Sequence, residues 1–270
     1  MTQDTIADQP GQDSSPGRNA LDHHMFDAAT IFAIVGTFLI AGTVKGVIGL
    51  GLPTVSLALL TIIIDLPSAM ALLLVPSFVT NLWQAVFGGH GKAILLRLWP
   101  FLVMATATVW IGAMALTRVD HSLLSALLGL LLIVYTAVNL VGSRLTIPIR
   151  HEVWAGPVAG VANGILAGMT GSFVVPGVLF LQAIGLSKNV LIQSMGMLFM
   201  ASTVALAMAL QRSNLLTPEH GILSLAALLP ATIGMVLGQR IRNTLSEDLF
   251  RQIFFISLLA LGLYIVVKSL

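Results

Sequence analysis

The sequence predicts an all-α polytopic membrane protein built from two homologous repeats. Three observations lead there. Of 270 residues, 57% are hydrophobic and 9% charged, with a mean hydropathy of +0.97; a soluble domain carries about 25% charged residues and can cover a wet surface. The apolar residues form long continuous runs, whereas the strands of a membrane barrel would alternate. Two blocks of sequence recur in the same order in each half, the mark of a duplicated unit.

Taken in order, residues 1–29 are polar, with Asp4, Asp8, Asp13, Asp22 and Asp27 against Arg18. They lack the basic start, short apolar stretch and cleavage site of a signal peptide. They read as a solvated tail that includes His23 and His24. The first repeat, residues 30–143, holds apolar runs over 31–50, 53–64, 68–87, 94–116 and 122–141. A polar joint at 144–152 leads to the second repeat, residues 153–270. Its runs are 153–168, 172–184, 189–210, 221–238 and 249–267. Most reach the length of about 20 residues that a bilayer core demands. The runs 53–64 and 172–184 do not: at about 1.5 Å per residue each extends only about 20 Å. Each repeat therefore has about five segments, four full spans and one short or broken helix.

The duplication is visible in matched stretches. "KGVIGLGLPTVSLALL" from Lys45 pairs with "NGILAGMTGSFVVPGVLF" from Asn163. "IGAMALTRVDHSLLSALLGLLLIVY" from Ile111 pairs with "LGQRIRNTLSEDLFRQIFFISLLAL" from Leu237, placing Gly112 on Gly238 and Leu124 on Phe250. Basic residues in short loops set orientation. With an odd number of crossings per half, Lys92, Arg97, Arg144, Arg150, Arg240, Arg242 and Arg251 share one face against Arg118, Arg212 and Lys268. With an even number, Arg212 and Lys268 trade places with Arg240, Arg242 and Arg251, and the asymmetry shrinks. The count favours an inverted arrangement of the repeats.

The glycine-rich breaks carry the functional reading. Backbone without helical bonding cannot face lipid, so a break inside a span needs protein or a wet cavity around it. Paired breaks at corresponding places in two halves point to a transporter's binding site, where helix ends offer N–H donors to an anion. The candidates at the first break are Thr43, Lys45, Gly46, Gly49, Gly51 and Thr54. At the second they are Asn163, Gly168, Thr170, Gly171 and Ser172. Asn81 and Gln84 sit one turn apart on the third segment, with Gln193 and Ser194 on its counterpart. Lys45 has two roles open to it: snorkelling to the interface, or drawing an anion as an intramembrane charge. The neutral residues have two as well, helix–helix hydrogen bonding and donation to an oxyanion. Asp65, an acid at a junction between apolar runs, is the candidate for a coupling proton if it is buried, and otherwise a solvent-facing turn.

Other chemistries lack their residues. Cysteine is absent, which excludes disulfides and thiolate metal sites. No HExxH, GxSxG or Walker A pattern occurs, so neither a catalytic site, a metal, a cofactor nor ATP hydrolysis is expected. The basic residues are scattered, which gives no nucleic-acid footprint. The expected partners are the lipid bilayer and a small anion, with a homodimer as one candidate assembly.

"GVIGLGLPTVSLALL" and "GILAGMTGSFVVPGVLFL", with the hinges "LPSAMALLLVPS" and "LSKNVLIQSMGM" and the closing "LLPATIGMVLGQRIRNTLSEDLFRQIFFISLLALGL", resemble the TauE/SafE family of sulfite exporters over residues 31–267. The resemblance implies a bacterial inner-membrane permease for sulfite, sulfoacetate or other sulfonates, working outward and coupled to protons. Carried over by position, the signature glycines are Gly46, Gly49 and Gly51, then Gly164, Gly168 and Gly171, with Pro176 after the second break. Pro53 comes early, directly after the glycines of the first break, and departs from the pattern there. The family's usual span count is even, which implies parallel halves, against the charge count. The expectation is a secondary transporter whose two breaks face each other near mid-membrane, with alternating access between the halves. An anion channel, or a membrane-embedded enzyme acting on a sulfur or lipid substrate, is the alternative.

Overall fold

The computed structural model describes residues 27–142, 146–242 and 247–270, and every regular element among them is helical. Helix α1 (Ala28–Ile48) is a full apolar span that stops at Gly49, whose N–H closes on the Lys45 carbonyl at 2.8 Å. Gly49 and Gly51 both lie at positive φ, +86° and +109°, where a side chain is strained and glycine is not. Pro53 then opens the 12-residue α2 (Leu52–Ile63), in the first turn, where its missing N–H costs nothing.

Asp65 caps α3 (Leu66–Leu72), accepting from the Ser68 N–H at 3.0 Å. α3 meets α4 (Leu74–Phe87) at a bend of 45°. The run 68–87, expected as one span, is thus broken. The cause is Pro76, whose missing N–H leaves the Leu72 carbonyl free. Ser224 fills the gap from another helix: its Oγ donates to Leu72 O at 2.8 Å and accepts from Val75 N–H at 3.0 Å.

The half closes with α5 (Gly91–Ala107), α6 (Val109–Ala113) with its 3₁₀ turn Met114–Thr117, and α7 (His121–Val141). α8 (Ile149–Thr170) begins inside the expected joint, so Arg150 and Glu152 are helical. Gly171 ends it at φ +72°. A kinked stretch (Val174–Val178), extended at Val175, and α9 (Leu179–Ala183) form the second short element. Three long helices follow: α10 (Lys188–Arg212), α11 (Pro218–Arg242) and α12 (Glu247–Ser269). Among the described residues seven helices are long and apolar enough to cross a membrane, or eight if the bent α3–α4 pair is one span. The tail to residue 26, with Arg18, His23 and His24, and Arg144 of the joint lie outside the described residues.

Glycine decides how the helices meet. A Cβ on Gly42 would lie 2.1 Å from Ala231 O, and one on Gly238 would lie 2.1 Å from Thr43 O, so α1 and α11 touch backbone to backbone. α8 meets α5–α6 in the same way, with Gly164 against Ala105 O at 2.4 Å and Gly168 against Val109 O at 2.1 Å. Lipid offers no hydrophobic drive between helices, so close packing of small residues is what joins them. In both pairs the contacting positions rise together along the two helices, so each pair runs parallel. Large apolar side chains remain outside, among them Phe32 (77% exposed) and Val153 (80%), which suits a lipid surround.

The bundle has two distinct ends. At one, Gly88 lies against Gln193, and Arg97 binds Glu152 at 2.6 Å. At the other, Ser68 meets His220, and the Lys268 ammonium donates to Ile62 O at 2.6 Å.

Candidate anion site

A polar cleft of about 780 Å³ opens at the first of these ends. Lys45 is its floor. The residue is 2% exposed, and Gly46, one residue on, lies against the backbone of α11. The ammonium donates to Thr80 Oγ1 at 3.1 Å and to Asn81 Oδ1. Thr80 and Asn81 are placed by the α3–α4 bend. Thr80 Oγ1 donates on to Pro76 O at 2.7 Å, so toward Lys45 it only accepts. Asn81 Nδ2 donates to Ser77 Oγ at 3.0 Å, and Ser77 Oγ lies 3.3 Å from Thr203 Oγ1 on α10. Both partners are neutral. An ammonium has three donors, and two are taken.

Two glutamines build the wall. Gln84 Nε2 donates to Gly49 O at 2.7 Å, so the carbonyl freed by the first break is held by α4. Gln193, from α10, donates to Ala85 O at 2.7 Å and accepts from His90 N–H at 2.8 Å. It ties the end of α4 to the second half. Asn189, Trp83, Gln239 and Arg242 complete the lining with Gly46, Gly49 and apolar neighbours. Arg242 adds a second cation, near the mouth.

A comparison with protein families matches residues 34–265 to the family described as Sulfite exporter TauE/SafE. The chain belongs to this family. No curated protein and no solved structure gave a match. With TauE/SafE membership comes the class: the protein is a multi-pass inner-membrane transporter and not an enzyme.

The glycines of the TauE/SafE motif fall in two different environments. Those of the first break, Gly46 and Gly49, line the cleft, while Gly51 packs against Val44 and Phe254. Those of the second break do not reach it. Gly168 is inside α8 and packs on α6, and Gly171 lies against Met70 and Leu57. Asn163 Oδ1 accepts from Gly177 N–H at 2.9 Å, so the residue aligned with Lys45 holds its own half's break in shape. Its Nδ2 and Ser172 Oγ are buried without a partner. The second-break residues are therefore not among those that line this cleft. The reason is length: α8 runs on to Thr170, past Gly168, while α1 ends at Ile48, before Gly49.

Other candidates serve their own helices. Thr43 Oγ1 donates to Leu39 O, Thr170 Oγ1 to Leu166 O and Ser194 Oγ to Val190 O, all within 2.8 Å. Thr54 is buried in the first turn of α2. Asp65 is exposed and caps α3, so the burial on which its coupling role depended is not found. The cleft residues not anticipated are Thr80, Trp83, Asn189, Gln239 and Arg242. Thr80 had a signal, as the neighbour of Asn81. Gln239 and Arg242 read as loop residues because α11 extends further than its apolar run.

Proposed function

We propose that the chain exports small sulfur-containing anions such as sulfite, sulfoacetate or another sulfonate, and binds them at the Lys45 cleft. One observation carries this: a buried ammonium with neutral partners and one uncommitted N–H stands in an open polar cleft. A charge in that position is costly inside a membrane protein without a counter-ion. An anion supplies the missing charge and takes the third donor. The cleft volume lies in the range of small-molecule sites, so a sulfite-sized ion enters with part of its water. One charge plus neutral dipoles binds weakly enough to release.

Alternating access is the proposed motion, and the helix pairing supports an inverted duplication behind it. α1 of the first half packs parallel on α11 of the second, and α8 packs parallel on α5–α6. Exchanging the halves exchanges the two pairs, since α8 corresponds to α1 and α11 to α5–α6, and α1 ends at the cleft end where α8 begins, so the two halves run in opposite senses. Rocking one half against the other would close this cleft and open a passage toward the opposite end. The test is counterflow in proteoliposomes. Labelled sulfite should accumulate against unlabelled sulfite and saturate; flux that rises linearly without saturation contradicts a carrier.

A further inference from the structure

A second hollow, of about 630 Å³, opens between α5 and α8 and shares no lining residue with the Lys45 cleft. On α8 its wall is Ile149, Glu152, Val153 and Gly156, at spacings that put them on one helix face. Gly156 is what leaves it hollow. A Cβ there would lie 3.4 Å from Phe180 Cζ and 3.6 Å from Phe101 Cβ, so the floor is the Phe101–Phe180 ring pair, with centroids 4.9 Å apart. Ile149, Val153 and Trp99 at the lip are exposed large apolar side chains, as is Trp154 beside them. α5 and α8 run parallel, so Arg97 and Glu152, early on each helix, share the outer end of the groove. Phe101 and Pro157 lie deeper. At the outer end Arg97 donates to Glu152 twice, from Nε to Oε2 at 2.9 Å and from Nη2 to Oε1 at 2.6 Å, and Nη2 also donates to Ile184 O at 3.4 Å. These bonds fix the guanidinium. Its Nη1 carries two more hydrogens, which have no partner among the described residues. Arg150, next to Ile149, and Lys92, earlier on α5, are exposed. This end therefore carries three cations and one carboxylate.

We infer that this groove binds an anionic glycerophospholipid, with the phosphate on Arg97 and Arg150 and one acyl chain over the Phe101–Phe180 floor. The site is separate from transport and does not depend on the Lys45 reading. Three features select the ligand. The lip is formed by exposed apolar side chains of two membrane-spanning helices, so the occupant comes from the bilayer. Charge lies at the outer end and aromatic rings lie deeper, which is the order of a phospholipid from head to tail. The excess of cations calls for a head with net negative charge, and basic pockets between spans recognise such heads. The two Nη1 hydrogens suit phosphate oxygens, with which arginine makes charge-assisted bonds. α5 belongs to the first repeat and α8 to the second, so a lipid seated here touches both.

For the test, the purified native protein is equilibrated with micelles holding equal amounts of dioleoyl phosphatidylglycerol and dioleoyl phosphatidylcholine. The lipids it retains are counted by native mass spectrometry. The chains are identical, so any difference reads the head. Phosphatidylglycerol should be retained several-fold over phosphatidylcholine. Arg150→Gln should lower that ratio by about twofold or more. Gly156→Leu, which fills the floor without changing charge, should abolish it. Arg118→Gln, at the opposite end of the bundle, should leave it unchanged. Equal retention of the two lipids by the native protein, or none, overturns the inference, since the groove then has no preference for an anionic head. A ratio that survives in folded Gly156→Leu or in Arg150→Gln overturns it as well. So does a ratio lowered as much by Arg118→Gln as by Arg150→Gln, since the preference then comes from the surface charge at large. Should Gly156→Leu not fold, Ile149→Glu puts a carboxylate at the exposed lip and should lower the ratio; an unchanged ratio overturns the inference.

Discussion

Lys45 differs from most buried charges in having no ionic partner to lose. Removing it should leave stability equal or higher, because replacing a buried charge by a well-fitting apolar side chain is often neutral or stabilising. Lys45→Met should therefore fold normally and bind sulfite about tenfold more weakly or worse, a loss of ~1.4 kcal/mol or more. Gln84 acts through the backbone. Gln84→Leu leaves Gly49 O without its partner and should cost about 1 kcal/mol of stability, seen as a lower Tm in detergent. Both side chains stand out in the sequence as polar groups in apolar runs. Their division of labour does not: nothing in the sequence says that Lys45 takes Asn81 and that Gln84 takes the Gly49 carbonyl, because those pairs join residues 36 and 35 apart.

At the scale of elements, glycines define the contacts and serines or prolines define the breaks. Gly42→Ala should destabilise by about 1–3 kcal/mol, since its Cβ would collide with the α11 backbone. Gly36→Ala on the same helix meets nothing within 4 Å and should be neutral or better by up to about 1 kcal/mol. Thermal unfolding of the two variants side by side separates packing from helix propensity. Ser224→Ala should cost about 1–3 kcal/mol by stranding Leu72 O and Val75 N–H, and it should loosen the cleft that the bend positions. Both short helices were legible as runs too short to span. The α3–α4 break was not, although Pro76 stood in the run: a proline in an apolar stretch either bends or ends a helix, and the serine that decides the matter lies 149 residues away from Val75.

For the whole molecule, the sequence made the membrane class, the helical content and the family plain, because these depend on composition and on runs along the chain. The place of the second break, away from this cleft, was not legible, since it depends on where each helix stops. The residues at the cleft end include Lys92, Arg97, Arg150, Lys188, Arg240 and Arg242, against Arg118, Arg212 and Lys268 at the other. By the positive-inside rule we expect the cleft to open to the cytoplasm. Single cysteines beside Lys92 and beside Arg118, tested with an impermeant thiol reagent on intact cells, should leave the first unlabelled and the second labelled. That orientation suits an exporter loading from inside.

Sulfite titration of the purified native protein and of Lys45→Met, followed by thermal unfolding, tests the central claim most directly. A ligand that binds the folded state alone raises its Tm by mass action. The native protein should gain stability with rising sulfite while Lys45→Met, equally well folded, should need about tenfold more sulfite or greater for the same gain. Equal stabilisation of the two would mean that the anion does not bind at Lys45.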